Sequence, residues 1–526
     1  MSSAVMSPSE KSLKFKLCTM MFVQIFIWGA WFELGFDFIP SLGFAGWQNA
    51  LIFGAFNVGA IVALLFSTQF ADRKFAAEKF LAFSHVVGGA AMLGLFFMPG
   101  ELGTNPGQHI TVKVTKPGDG PDTALGELKD KTPIVVSGVT AKWDEIGTDE
   151  KKFPTVVTTV TETKDVAGQK TIFAKVSTGA PFWPFFLLML LHCIFYVPTV
   201  SITNSIAFAN LRDPAREFGP VRVWGTIGWI AASWPFIFIL VDWAKVPPMG
   251  EVGFVDWLGK ALGTSKEGAE ASAAQKYIFL VAALASFVLA AISPTLPHTP
   301  PKPASGEDSF AWLKAAKLLK RPFIAVLFLV TFIDAAVHQS FFYWTASFLK
   351  TDVGIPANWV TPVMKIGQIA EILTMLTLGY VLRNMGWRAT MIFGVLGHAA
   401  RFAVFAYFPE KEAAILVNVL HGICYAFFFA TVYIFVDEFF PKDVRASAQG
   451  LFNVLILGVG PFMANIACGE LKGMYTTGGK LAYASVFQYS MGAALIGAII
   501  LALFFHPPKF APKDANDPAG ETAPAP

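Results

Sequence analysis

The chain has 526 residues, of which 54% are hydrophobic and 15% charged, with a formal net charge of +3. A soluble chain of this length would carry about 25% charged residues, so the composition excludes an ordinary soluble enzyme, and so small a net charge gives no reason to expect a nucleic-acid partner. The apolar residues fall in blocks long enough to cross a hydrocarbon core of about 30 Å as helices.

In chain order, hydropathy predicts twelve transmembrane helices over 15–39, 48–70, 78–98, 182–209, 219–241, 276–297, 322–349, 357–382, 389–408, 413–438, 445–469 and 481–506. The polar start runs into a block too long for a signal h-region and lacks an Ala-x-Ala site, so no cleaved signal peptide is expected. The expected fold class is therefore an all-α membrane protein in two six-helix halves. Residues 1–98 supply helices 1–3 and residues 182–297 supply helices 4–6 of the N-terminal half; residues 322–506 form the C-terminal half.

Between helices 3 and 4, residues 99–181 are polar and read as short strands at 110–115, 133–136, 155–158 and 171–176, separated by Gly and Pro turns such as 117–121. A small all-β extracytoplasmic insertion is expected here. It has no Cys and no dense carboxylate cluster, so neither disulfides nor a metal are expected in it. Residues 298–321 form a Pro-rich cytoplasmic linker followed by a basic amphipathic run, and residues 507–526 form a tail expected to be disordered. Lys and Arg concentrate in the N-terminal tail and in the short loops on the same side of the membrane, which places both termini in the cytoplasm. Cys18, Cys193, Cys424 and Cys468 all lie in apolar blocks and read as packing residues.

A short basic turn, Phe70-Ala-Asp-Arg-Lys74, follows helix 2, and another, Gly379 to Arg388, follows helix 8. The same turn at corresponding places in the two halves resembles the loop signature of the major facilitator superfamily, whose members hold substrate near the midplane between their halves.

Ionisable groups inside a bilayer are costly and mark candidate sites. Helix 5 opens with Arg222-Val-Trp-Gly-Thr226-Ile-Gly-Trp229, which puts a cation, a hydroxyl and a ring on one helical face and suits a flat, hydrogen-bonding ligand. Helix 8 carries Lys365, Gln368 and Glu371; Glu371 lies deep in its span, where a carboxylate can hold and release a proton. The alternative for Glu371 is a structural salt bridge to Arg401. Helix 7 places Asp334 and His338 four residues apart, as a possible carboxylate–imidazole pair, and Gln339 with Phe342 on a separate stripe. His421 and Tyr425 share a face of helix 10, His398 and Arg401 suit a structural role in helix 9, and Glu33 with Asp37 is expected at a wet outer vestibule. No Walker-type phosphate loop, Gly-x-Ser-x-Gly or His-Glu-x-x-His is present, so an ion or substrate gradient is the expected energy source.

Several stretches resemble the bacterial nucleoside:proton symporter family. They are Gln24 to Trp31, Tyr196 to Asn204, Val221 to Gly228, Leu296 to Pro300, Gln368-Ile-Ala-Glu371, Arg401 to Tyr407 and Val444-Arg-Ala-Ser-Ala-Gln-Gly450, in the family's order through nearly all of the membrane part. The resemblance does not extend to the polar insertion. It implies alternating access with nucleoside and proton as partners, no cofactor, and pocket roles for Arg222, Thr226, Gln339, Gln368 and Glu371. The family's helix-5 Phe is Trp229 here and a helix-7 Asn falls at Phe342; in helix 10 a Tyr becomes His421, a Phe becomes Tyr425, and a carboxylate becomes Ala426. Glu371 is then expected to carry the proton alone, or with Asp334 or His421. The expected protein is a multi-pass importer of the bacterial cytoplasmic membrane, monomeric in the lipid bilayer. A facilitator for a sugar or other polar metabolite, and a membrane receptor working through the β insertion, are the alternatives.

Overall fold

The computed structural model describes residues 8–42, 44, 46–66, 75–98, 109–114, 133–136, 139–142, 155–166, 169–178, 182–212, 214–301, 317–440, 445–477 and 480–507. The basic turn at 70–74, the linker at 302–316, the turn at 117–121 and the tail from 508 lie outside the described residues.

The N-terminal part contains α1 (Pro8–Ser41), α2 (Gly46–Phe66), α3 (Ala77–Phe96), α4 (Phe182–Asn210), α5 (Pro214–Ala231) and α6 (Trp234–Ile239). These are followed by α7 (Phe254–Gly263) and α8 (Glu270–Thr295). The C-terminal part contains α9 (Pro322–Thr351), α10 (Ala357–Tyr407), α11 (Lys411–Phe439), α12 (Ala448–Tyr475) and α13 (Tyr483–Phe504). Among the described residues, nine helices are long and apolar enough to cross a membrane.

One span differs from the hydropathy reading. The expected fifth span breaks into α5 and α6, because residues 232–233 form a turn and a proline in the first turn of α6 starts a new helix. The eighth and ninth spans are the two arms of α10, which break at Gly386 (φ 72°), inside the basic turn at 379–388 expected between them. That left-handed conformation lets the chain turn between two helical arms without the steric cost a side chain would bring.

Strands lie between α3 and α4: β1 (His109–Val114), β2 (Pro133–Val136), β3 (Val139–Lys142), β4 (Thr155–Val166) and β5 (Gln169–Thr178). They pair antiparallel in the order β3-β2-β1-β5-β4, with Ile110 opposite Ala174 and Val166 opposite Gln169.

Within the N-terminal half α1 packs on α5, and α3 on α4 and α8; within the C-terminal half α10 packs on α11 and α13. The α1–α5 approach is close because Gly228 faces the Phe22 carbonyl, leaving no room for a side chain. The halves meet along α2 with α12, α1 with α9, and α5 and α6 with α10. Residues such as Leu284, Leu373, Leu376, Ile496 and Leu503 are exposed on the outer faces, as lipid-facing positions are.

Candidate functional site

A cavity of about 260 Å³ opens between the halves, near the lower end of the small-molecule range of about 300–1,000 Å³. From the N-terminal half, Arg222, Thr226 and Trp229 of α5 all line it, as their common helical face requires. Trp28 and Phe32 of α1 and Phe56 of α2 complete an aromatic wall. The Trp28 ring stacks on Phe56 at 4.7 Å and meets Trp229 edge-on at 5.1 Å. Across the interface, Phe342 meets Phe32 at 5.4 Å and Trp229 at 6.4 Å.

From the C-terminal half come Gln339 and Phe342 of α9, Gln368 and Glu371 of α10, and His421 and Tyr425 of α11. The eight side chains expected to bind ligand and Glu371 therefore face one space; Asp334 does not line it. Two stretches beside the cavity are π-helical, Tyr425–Ala430 in α11 and Val454–Val459 in α12. A π turn disturbs the regular hydrogen-bond ladder and re-aims the side chains around it, and such turns concentrate at functional sites.

Behind the cavity sits a buried polar hub. Arg401 donates to His421 Nδ1 at 2.8 Å and to His398 Nδ1 at 2.9 Å, with its guanidinium 3.8 Å from the centre of the Phe341 ring. A guanidinium only donates, so both imidazoles accept at Nδ1 and, when neutral, carry their proton on Nε2. His398 Nε2 lies 3.7 Å from Asp334 Oδ2, and His338 stacks on His421 at 5.1 Å. The expected Asp334–His338 pair is thus replaced by Asp334 facing His398, because the hub draws the carboxylate toward α10. The alternative salt bridge from Arg401 to Glu371 does not form, since Arg401 is occupied by the two imidazoles.

Glu33 and Asp37 also need correction. Neither sits in a wet vestibule: Glu33 is fully buried, the Asp37 side chain is largely shielded, and both are paired across the halves. Lys365 Nζ lies 2.7 Å from Glu33, with side chains 3% and 0% exposed, and 4.3 Å from the centre of the Trp229 ring. Asp37 accepts from Gln275 of α8 at 2.6 Å, from Ser347 of α9 at 2.9 Å, and from Lys350. Close by, the Leu262 carbonyl of α7 accepts from Asn358 at 3.1 Å and from Trp359 Nε1 at 2.8 Å. The Asp37 and α7 contacts gather at the end of the bundle where α1 and α9 finish and α10 begins, and the Glu33–Lys365 pair lies about two helical turns further in, beside the cavity ring Trp229.

The sequence reading missed Asn57, a cavity-lining residue of α2; a lone amide in an apolar block was the signal for it. His338 also lines the cavity, and its spacing from Asp334 had drawn attention to it only as a pair. Among the described residues, no cluster of His, Cys, Asp or Glu could hold a metal ion.

A ligand-sized space between two halves of a multi-pass helical bundle, with aromatic and ionisable walls, defines a membrane transporter of the major facilitator fold. The nucleoside H+ symporter family model matches residues 11–99, 159–255 and 242–509, and the chain belongs to that family. It is 24% identical to the xanthosine permease of Escherichia coli K12, over 94% of this chain and 96% of that protein. It is 27% identical to the nucleoside permease NupG of the same organism, over 64% of this chain and 78% of that one. The crystal structure of the nucleoside transporter NupG superposes with a TM-score of 0.66 at 20% identity, covering 94% of this chain and all of that one. A D-xylose-proton symporter shares the fold at a TM-score of 0.59 and 12% identity, over 94% of this chain and 98% of that one.

Proposed function

We propose that this protein imports nucleosides with protons by alternating access. The observation that carries the reading is the pairing, across one cavity, of the Trp28–Phe56–Trp229 wall with Arg222, Gln368 and Glu371. An aromatic wall suits a nucleobase face, and the polar groups suit its edge and the sugar hydroxyls. In this reading Trp229 stacks the base, Arg222 and Gln368 hydrogen-bond the ligand with Thr226, Gln339, Phe342, His421 and Tyr425 around it, and Glu371 carries the proton. Asp334 contributes from behind, as the buried counter-charge of Arg401 relayed through His398, in a chain where Ala426 stands in place of the family's second acid.

Twelve spans result when α2, the broken α5–α6 segment and the two arms of α10 are each counted as a crossing. Both termini are then cytoplasmic, the strands between α3 and α4 form an extracytoplasmic insertion, and the protein works as a monomer in the bacterial inner membrane. The ion pairs of Glu33 and Asp37 and the α7 cap then close the extracytoplasmic end.

Uptake of labelled uridine and adenosine into a host lacking nucleoside uptake tests the proposal. We expect accumulation that collapses with the proton gradient, and loss of uphill accumulation with retained binding in Glu371→Gln. No uptake above background, with the protein shown in the membrane, defeats it.

A further inference from the structure

We propose that Asn57 and Asn465 are specificity-determining positioning residues: their amide chain fixes Gln339 so that its carbonyl oxygen meets the ligand, which must offer an N–H or O–H there. The ligand class rests on the nucleoside reading above.

The amide series is anchored on a group whose polarity is fixed by its chemistry. Leu457 lies in the π-helical stretch of α12, and its backbone carbonyl accepts from Asn57 Nδ2 at 2.8 Å. A carbonyl can only accept, so the amino group of Asn57 must point at it. The Asn57 oxygen is then turned toward Asn465, whose Nδ2 donates to it at 3.3 Å. That leaves the Asn465 oxygen facing Gln339, which donates from Nε2 at 2.9 Å. An isolated side-chain amide can be turned either way, and its network decides which; here each amide is set by the one before it, and the series ends at a backbone group.

Gln339 is the far end. One N–H of its amino group is taken by Asn465, its oxygen has no protein partner among the described residues, and the side chain lines the cavity. Turning Gln339 over would bring its oxygen against the Asn465 oxygen, two acceptors with no proton between them, in a buried place where a lost hydrogen bond is not replaced by water. Neither asparagine needs to touch the ligand for this to matter. Asn57 belongs to α2 while Asn465 and Leu457 belong to α12, so the orientation is imposed in the conformation where those helices pack together.

The test is competition against labelled uridine uptake by uridine analogues that each lose one donor: the 3-methyl, 2′-O-methyl, 3′-O-methyl and 5′-deoxy forms. For the wild-type chain, one analogue should compete at least about tenfold more weakly than uridine, the scale of one lost hydrogen bond to a buried acceptor. In Asn465→Leu and Asn57→Leu that penalty should shrink to within about threefold while the ranking of the other analogues stays. Asn465→Asp, whose protonated carboxyl can donate to Asn57 and accept from Gln339, should retain the penalty, which a merely structural role does not predict. Should the leucine variants fail to reach the membrane, Gln339→Met decides: it must lose the same penalty on the same analogue. Equal discrimination by wild type and Gln339→Met, or by wild type and a leucine variant present in the membrane, overturns the inference alone, as does a wild-type chain indifferent to all four analogues. A wild-type chain that takes up no nucleoside overturns the proposed function and this inference with it.

Discussion

Lys365→Met leaves the Glu33 carboxylate buried without its counter-ion, and Glu33→Gln leaves an ammonium over the Trp229 ring. The two side chains are 2.7 Å apart and almost wholly shielded from solvent, so removing one partner should cost about 3–5 kcal/mol, whereas neutralising both should cost far less. The pair joins α1 of one half to α10 of the other, so the penalty falls only on conformations in which the halves meet at that end. A bias of that size changes the ratio of the two access states by roughly 10²- to 10⁴-fold. A Thr226→Cys reporter in the cavity, labelled from outside the cell by an impermeant maleimide, reads this out. Both single variants should label much faster than the parent, and Glu33→Gln/Lys365→Met should return most of the way. Parental labelling rates in both single variants, or a double variant no slower than the singles, would refute the reasoning.

Trp229→Ala should weaken nucleoside binding by about 1–3 kcal/mol, the worth of one base–aromatic contact, or roughly 5- to 150-fold in Kd by titration calorimetry; an unchanged Kd removes the ring from the site. Arg401→Met strips the donor from His398 and His421 and the counter-charge from Asp334. It should destabilise the detergent-solubilised protein by about 3–5 kcal/mol in thermal unfolding, with partial recovery on adding Asp334→Asn. An unaltered Tm contradicts the hub described above.

Much of the helical frame was legible because a span writes itself locally, as an unbroken apolar block. The joint at Gly386 was legible too, because it falls in a basic turn between two apolar blocks, but the turn at 232–233 is a two-residue event inside an apolar block that hydropathy averages over. The stripe of Arg222, Thr226 and Trp229 could be read from helical spacing alone, since three positions on one face must look the same way. Long-range pairings could not. Glu33 reads as a near-terminal charge of one span and Lys365 as a stray cation of another, and only the apposition of α1 and α10 shows that each is the other's partner. Spacing within α9 suggested Asp334 with His338, yet an i,i+4 relation is outbid when a neighbouring helix presents a better-placed group, here His398. The amide series through Asn57, Asn465 and Gln339 draws on three separate helices and is invisible in any one of them.

The cavity's walls are unequal in kind. Rings line it from both parts of the chain, Trp28, Phe32, Phe56 and Trp229 from the first and Phe342, Tyr425, Phe429 and Tyr433 from the second, but Glu371 and the two histidines all come from the second. Charge handling is therefore concentrated on one side of the seam, with Arg222 the one charged side chain that lines the cavity from the other side among the described residues. A lineage could drift in the first half and change which outlines are admitted while leaving the electrical machinery of the second intact. Hybrids joined between α8 and α9 with a relative's complementary half would separate the two inheritances.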